Sequence, residues 1–87
     1  MAGQIVVFEH ANFAGEARFI KDQEPRLGDQ NMNDKVSSFV VITGQWQFFQ
    51  DPDFLFPYGP ILGPGPYPWI EDIGIKNDQV SSLKSVA

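Results

Sequence analysis

No cysteine occurs among the 87 residues, which excludes disulfide cross-links, thiolate metal sites and a cysteine nucleophile. Histidine is almost as scarce. With His10 alone, no histidine–serine–acid set and no histidine-rich transition-metal site is visible, and no glycine loop precedes a helical pattern as phosphate binding would require. No enzymatic activity is expected. Basic residues are few, six Lys and Arg against eleven Asp and Glu, and the net charge of −5 disfavours nucleic acid as a partner and favours cations. No apolar run approaches the roughly 20 residues of a membrane span, and the start, MAGQIVVFEH, lacks a basic segment followed by a long apolar one. The chain therefore reads as soluble, either cytoplasmic or part of a longer secreted protein. Uninterrupted helical windows are missing too, because seven prolines break the sequence and apolar spacing never holds to 3.6 residues. At most one short helical turn fits, at Trp69–Ile73 before Gly74.

What is present is a series of short β-branched and aromatic runs. Ile5–Glu9, a turn at Ala11–Gly15 and Ala17–Ile20 read as a hairpin. Lys21–Met32 is polar and broken by Pro25, Gly28 and Asn31, so a long connection is expected there, followed by a strand at Ser37–Thr43 that ends at Gly44. Trp46–Gln50 then opens a second pass: an aromatic strand, a turn at Asp51–Asp53, an apolar run, a loop and a closing strand at Leu83–Val86. Phe8 and Phe13 recur 41 residues later as Phe49 and Phe54. Two repeats of four strands predict an all-β sandwich of about eight strands in a single domain over 1–87, with one repeat at about 3–44 and the other at about 45–87. A domain this small buries only about 60% of its unfolded surface, so a bound metal would matter to its stability.

The repeat carries one polar motif twice, NDKVSS at Asn33–Ser38 and NDQVSS at Asn77–Ser82, 44 residues apart. A single copy would read as turn chemistry, since Asn, Asp and Ser bond their own backbone. Two strings that share five of six positions, each after an aromatic hairpin and before a strand, point further. Calcium takes six to eight oxygens from carboxylates, hydroxyls, carbonyls and water. Asp34 and Asp78 offer carboxylates, and Ser37 and Ser81 offer hydroxyls.

The chain resembles the microbial calcium-binding βγ-crystallin domains over nearly its whole length. That family's Greek-key signature is an aromatic, four residues, an aromatic, one residue and a glycine, which Phe8-EHAN-Phe13-Ala14-Gly15 meets in full. Its calcium motif, Asn or Asp twice, any two residues, Ser or Thr, then Ser, is met twice. The resemblance implies two Greek keys with two calcium ions between them, each ion drawing ligands from both halves. It implies backbone carbonyls from Glu9 and Gln50, one for each ion, and from Lys35 and Gln79. The side chains of Asp34, Ser37, Asp78 and Ser81 would be divided between the sites, with Asn33 and Asn77 as ligands or loop organisers. Ser38 and Ser82 are expected to hydrogen-bond the hairpins instead. One position departs from the signature: Phe49-QDPD-Phe54-Leu55-Phe56 places Phe56 where glycine belongs. Either Phe56 is strained or the hairpin is rebuilt, with Gly59 taking over in a shifted turn.

The remaining singular residues read more plainly. His10 is expected on a hairpin surface, Asp51 and Asp53 as turn formers, and Trp46 and Trp69 as core. Pro57–Trp69 reads as a rigid loop whose prolines and aromatics offer a second functional reading, a surface for a protein, glycan or membrane. A monomer is expected.

Overall fold

The computed structural model describes residues 3–27, 36–75 and 80–86. Among the described residues, eight strands form two antiparallel four-stranded sheets: β1 (Gln4–His10), β2 (Ala14–Lys21), β3 (Gln23–Glu24), β4 (Ser38–Thr43), β5 (Trp46–Asp51), β6 (Leu55–Leu62), β7 (Gly65–Tyr67) and β8 (Ser82–Ser85). One sheet has the order β2-β1-β4-β7 and the other β3-β8-β5-β6. Each half thus lends one strand to the sheet built mainly by the other, β3 crossing one way and β7 the other.

Alternation along the strands sets the core. Ile5 and Val7 of β1 face inward with Phe39 and Val41 of β4, pairing in register as Ile5 with Val41 and Val7 with Phe39. Trp46 and Phe48 of β5 and Leu83 of β8 supply the opposite face. Phe39 and Phe48 meet edge to face with ring centroids 4.7 Å apart, and Phe39 also stacks on Tyr67 at 4.7 Å. Trp46 is fully buried as core and its indole N–H donates to the Thr43 carbonyl at 3.0 Å. Trp69 is only half-buried.

Three expectations from the sequence need correction. The Lys21–Met32 connection holds the short strand β3, which its lone pair of ladder residues, Gln23 and Glu24, made invisible to periodicity. Pro57–Trp69 is no loop: β6 runs through Pro57 and Pro60, and β7 occupies Gly65–Tyr67. Proline is tolerated there because β6 is an edge strand, where a missing N–H breaks fewer ladder bonds. The third concerns helical turns. Besides Ile70–Ile73, capped by Gly74 at φ 84 with its N–H on the Glu71 carbonyl, short 3₁₀ turns occur at Ala11–Phe13 and Pro52–Phe54. Each of those holds a left-handed residue, Asn12 at φ 58 and Asp53 at φ 60, so they are hairpin turns in substance.

The second hairpin is not rebuilt around Phe56. Its backbone repeats the first: Asn12 and Phe13 at φ 58 and 61 match Asp53 and Phe54 at φ 60 and 61, and Phe56 at φ 59 stands where Gly15 has φ 81. Phe56 is left-handed and 65% exposed, so its strain is borne by a side chain that packs little. The register irregularity does shift. It lies near Gly15 in the first hairpin, between the Phe8 and His10 pairings, and near Gly59 (φ 80) in the second, between the Trp46 and Phe48 pairings.

Candidate metal centre

The closing residues of the two NDxxSS strings occupy equivalent places in the two halves of the duplication. Val36 and Val80, the apolar fourth residues of the motifs, are fully buried and anchor each motif to the core. Next to them Ser37 and Ser81 are 3% and 6% exposed. The Ser37 N–H donates to the Phe8 carbonyl at 2.9 Å, and the Ser81 N–H donates to the Phe49 carbonyl at 3.0 Å. Each serine is therefore pinned beside the residue before a predicted carbonyl ligand, Glu9 in one half and Gln50 in the other. The β1–β2 register shifts between Phe8 and His10, a bulge at Glu9 where a carbonyl can be turned to another ligand, whereas the β5–β6 register runs unbroken from Phe49 to Asp51 past Gln50.

The carbonyls of the same serines tie the halves together. Ser37 accepts the Ile70 N–H at 2.8 Å and Ser81 accepts the Leu27 N–H at 2.9 Å, each donor coming from the other half. The tips of the hairpins are held the same way: Asn12 donates its N–H to the Pro68 carbonyl and Asp53 to the Pro25 carbonyl, both at 2.8 Å. Two straps, Pro25–Leu27 and Pro68–Ile70, thus cross the sandwich, each closing over the other half's hairpin. Leu27 and Ile70, the last residues of the straps, are fully buried.

The last serines of the motifs are fully buried and bond the hairpins, as expected. Ser38 donates its hydroxyl to the His10 carbonyl at 2.6 Å and accepts the Phe13 N–H at 3.0 Å. Ser82 donates to the Asp51 carbonyl at 2.6 Å and accepts the Phe54 N–H at 3.1 Å. Edge-to-face ring pairs, Phe8 with Phe13 at 5.6 Å and Phe49 with Phe54 at 5.5 Å, cover the hairpins.

Of the ten residues singled out as metal ligands, the structure describes four. Glu9 and Ser37 are joined through the Phe8 carbonyl, and Gln50 and Ser81 through the Phe49 carbonyl. Asn33, Asp34, Lys35, Asn77, Asp78 and Gln79 lie outside the described residues. Among the described residues no group of three or more His, Cys, Asp or Glu side chains is placed to hold a metal ion. The donors that are described, two nearly buried serines and the backbone carbonyls of Glu9 and Gln50, are all oxygen, the donor type that suits a hard cation. His10 is exposed, with its Nε2 3.5 Å from Glu9 Oε1.

The straps were missed in the sequence, although their signal is there. Pro25-Arg26-Leu27 and Pro68-Trp69-Ile70 repeat a proline and an apolar residue 43 positions apart, between the 41 of the hairpins and the 44 of the motifs. Arg26 was missed as well: its Nε and Nη2 approach the two carboxylate oxygens of Asp53 at 3.4 and 3.3 Å. Asp53 is therefore more than a turn former.

The family model for Beta/Gamma crystallin matches residues 4–86. A Beta/gamma-crystallin of Ciona intestinalis is 35% identical over 82 residues, covering 94% of this chain and 96% of the relative. Among solved structures, a betagamma-crystallin from an archaeon superposes with a TM-score of 0.89 at 34% identity, covering 99% of this chain and all of that one. A transition-metal-ion-binding betagamma-crystallin from Methanosaeta thermophila gives 0.85 at 32% identity, covering 94% of this chain and 99% of that one. No helix among the described residues is long and apolar enough to cross a membrane.

Proposed function

The chain belongs to the beta/gamma-crystallin family, and on that premise we propose that it binds two calcium ions through its paired NDxxSS motifs and that the ions stabilise the fold. The observation that carries this reading is the equivalence of Ser37 and Ser81. Each is nearly buried, each is fixed by a hairpin carbonyl, and each receives a strap from the opposite half. An ion held there would join both halves of one domain spanning 1–87.

Glu9, Asn33, Asp34, Lys35, Ser37, Gln50, Asn77, Asp78, Gln79 and Ser81 are the residues proposed to supply the ligands. The Methanosaeta relative is described as binding transition-metal ions. In this chain one histidine and no cysteine argue for a hard cation instead. With about one carboxylate per site, an affinity of order 10⁻⁶–10⁻⁴ M is expected. Binding to the folded state alone stabilises it by about 2.7 kcal/mol at a hundredfold excess over Kd. Thermal melting in calcium and in chelator tests this. The midpoint rises with calcium in the native chain, and that rise is lost in the Asp34→Ala, Asp78→Ala double variant; an identical melt in both buffers removes the proposed stabilisation.

A second reading, an interaction module working through Pro57–Trp69, draws on Ile61, which lies on the edge strand β6 and is 55% exposed. A partner that binds the Asp34→Ala, Asp78→Ala variant normally but not Ile61→Ser would favour it.

A further inference from the structure

We infer that the outer face of the β2-β1-β4-β7 sheet pairs with the same face of a second copy of this chain, forming a weak two-fold dimer across the row Phe19–Val6–Val40–Pro66. The inference stands apart from the calcium reading above.

The row follows from the strand pairings. Val6 lies opposite Phe19 of β2 and Val40 of β4, and Val40 lies opposite Pro66 of β7, so the four side chains share one face. Their chain neighbours Ile5, Val7, Ile20, Phe39 and Val41 fill the core, which turns the row outward. Phe19 is 55% exposed, Pro66 is exposed, and Val6 and Val40 are half-buried. Ile42, two residues beyond Val40, is 45% exposed.

The other sheet shows that the fold does not require such a row. Val6 and Val40 are matched 41 and 44 residues on by Gln47 and Lys84, and Pro66 is matched 43 residues back by Gln23. The pairings set Gln23 opposite Lys84 and Lys84 opposite Gln47, so the equivalent row is polar.

Charge and edge chemistry select the occupant. The chain carries a net charge of −5, yet the rows flanking this one, Lys21–Gln4–Thr43 and Ala17–Phe8–Ser38, hold Lys21 as their one charge. Glu9 and His10 stand past the second of these rows, at the hairpin. Two acidic copies can therefore meet here without setting carboxylate against carboxylate, whereas a partner chosen by charge would find a single lysine. The polar row of the other sheet offers this face no apolar mate, so within this chain its complement is itself, a contact that closes at two copies. Pairing at the edges of the sheet is opposed. Pro66 removes an N–H from β7 between Pro64 and Pro68, and β2 carries Lys21 and the ion pair of Arg18 with Glu16 at 3.0 Å.

Strands ~4.8 Å apart, with six or seven residues at ~3.3 Å each in β4 and β1, span a face of about 400 Å² in projection. Paired on itself, it buries on the order of 1,000 Å², the low end for specific association, so a Kd of roughly 10⁻⁴ M is expected. The monomer expected from the sequence is then the dilute form.

Sedimentation equilibrium of the full chain between about 20 μM and about 1 mM, in calcium and in chelator, brackets that value. The native chain is expected to pass from monomer to dimer mass, more completely in added salt, which screens the −5 charge on each copy. The Phe19→Ser, Val40→Lys variant, whose lysine copies the residue at the matched position of the other half, should weaken pairing at least about tenfold. Amide shifts of the ¹⁵N-labelled native chain locate the contact without any variant: Val6, Phe19 and Val40 should move with concentration while Gln23, Gln47 and Lys84 stay. A native chain that is monomeric at about 1 mM overturns the proposal, whether the face then takes another protein or neutral phosphatidylcholine vesicles. Dimer mass undiminished in the double variant, shifts at Gln47 and Lys84 in place of Val6 and Val40, or masses that grow past the dimer overturn it equally.

Discussion

Ser82 donates its hydroxyl hydrogen to the carbonyl of Asp51 at 2.6 Å, from a side chain with no exposed surface. The same hydroxyl accepts the Phe54 N–H, so one buried oxygen closes a hairpin turn from beneath, and Ser38 does the same for His10 and Phe13. Replacing either serine by alanine leaves a hairpin donor and acceptor short of a partner. Ser38→Ala and Ser82→Ala are each expected to cost about 1–3 kcal/mol, the usual penalty for an orphaned buried polar group. Urea denaturation in chelator checks this; a midpoint unchanged in both variants would mean that water replaces the hydroxyl.

Gly15 and Phe56 offer a matched pair of opposite sign. Phe56 holds φ 59 where Gly15 holds φ 81, and a non-glycine residue there costs about 1–2 kcal/mol. Phe56→Gly relieves that strain, loses little burial because the ring is exposed, and makes the unfolded chain freer, for a net gain of about 0.5–1 kcal/mol. Gly15→Ala destabilises, because its new Cβ would also lie 2.6 Å from His10 Cδ2. Chemical denaturation of the two variants should move the midpoint in opposite directions.

Gly59 and Gly74 share positive φ, 80 and 84, but not their surroundings. A Cβ at Gly59 would run into the buried Ile75 side chain, whereas nothing lies within 4 Å of one at Gly74. Gly74→Ala should therefore cost about 1 kcal/mol for backbone strain alone, and Gly59→Ala about 1–3 kcal/mol more for the overpacked contact. Equal losses in thermal denaturation would mean that Ile75 moves aside freely.

Much of this fold was legible because the chain repeats itself. Phe8 and Phe13 against Phe49 and Phe54 located both hairpins, and the expected roles of Ser38 and Ser82 match the bonds they make. What escaped was held by few residues or by single contacts. β3 has two ladder residues, too few for any alternation to register, and the prolines of β6 read as breakers because edge position is a property of the sheet, not of the sequence. The Arg26–Asp53 pair joins residues 27 positions apart in different halves, which no local pattern encodes. Phe56 was legible as a question only. Whether a non-glycine residue keeps the left-handed backbone or shifts the turn depends on what surrounds it, here open solvent that lets the ring point outward. For the candidate site, the sequence pointed to Ser37 and Ser81 but not to the straps whose N–H groups bind their carbonyls.

Isothermal titration of the chelator-stripped chain with calcium tests the central claim most directly, because it reports stoichiometry. The account predicts two ions per chain, binding with an affinity of order 10⁻⁶–10⁻⁴ M and more tightly than magnesium, and no binding heat from the Asp34→Ala, Asp78→Ala variant. An isotherm without binding heat in the native chain, or one in which magnesium binds as tightly as calcium, would contradict it.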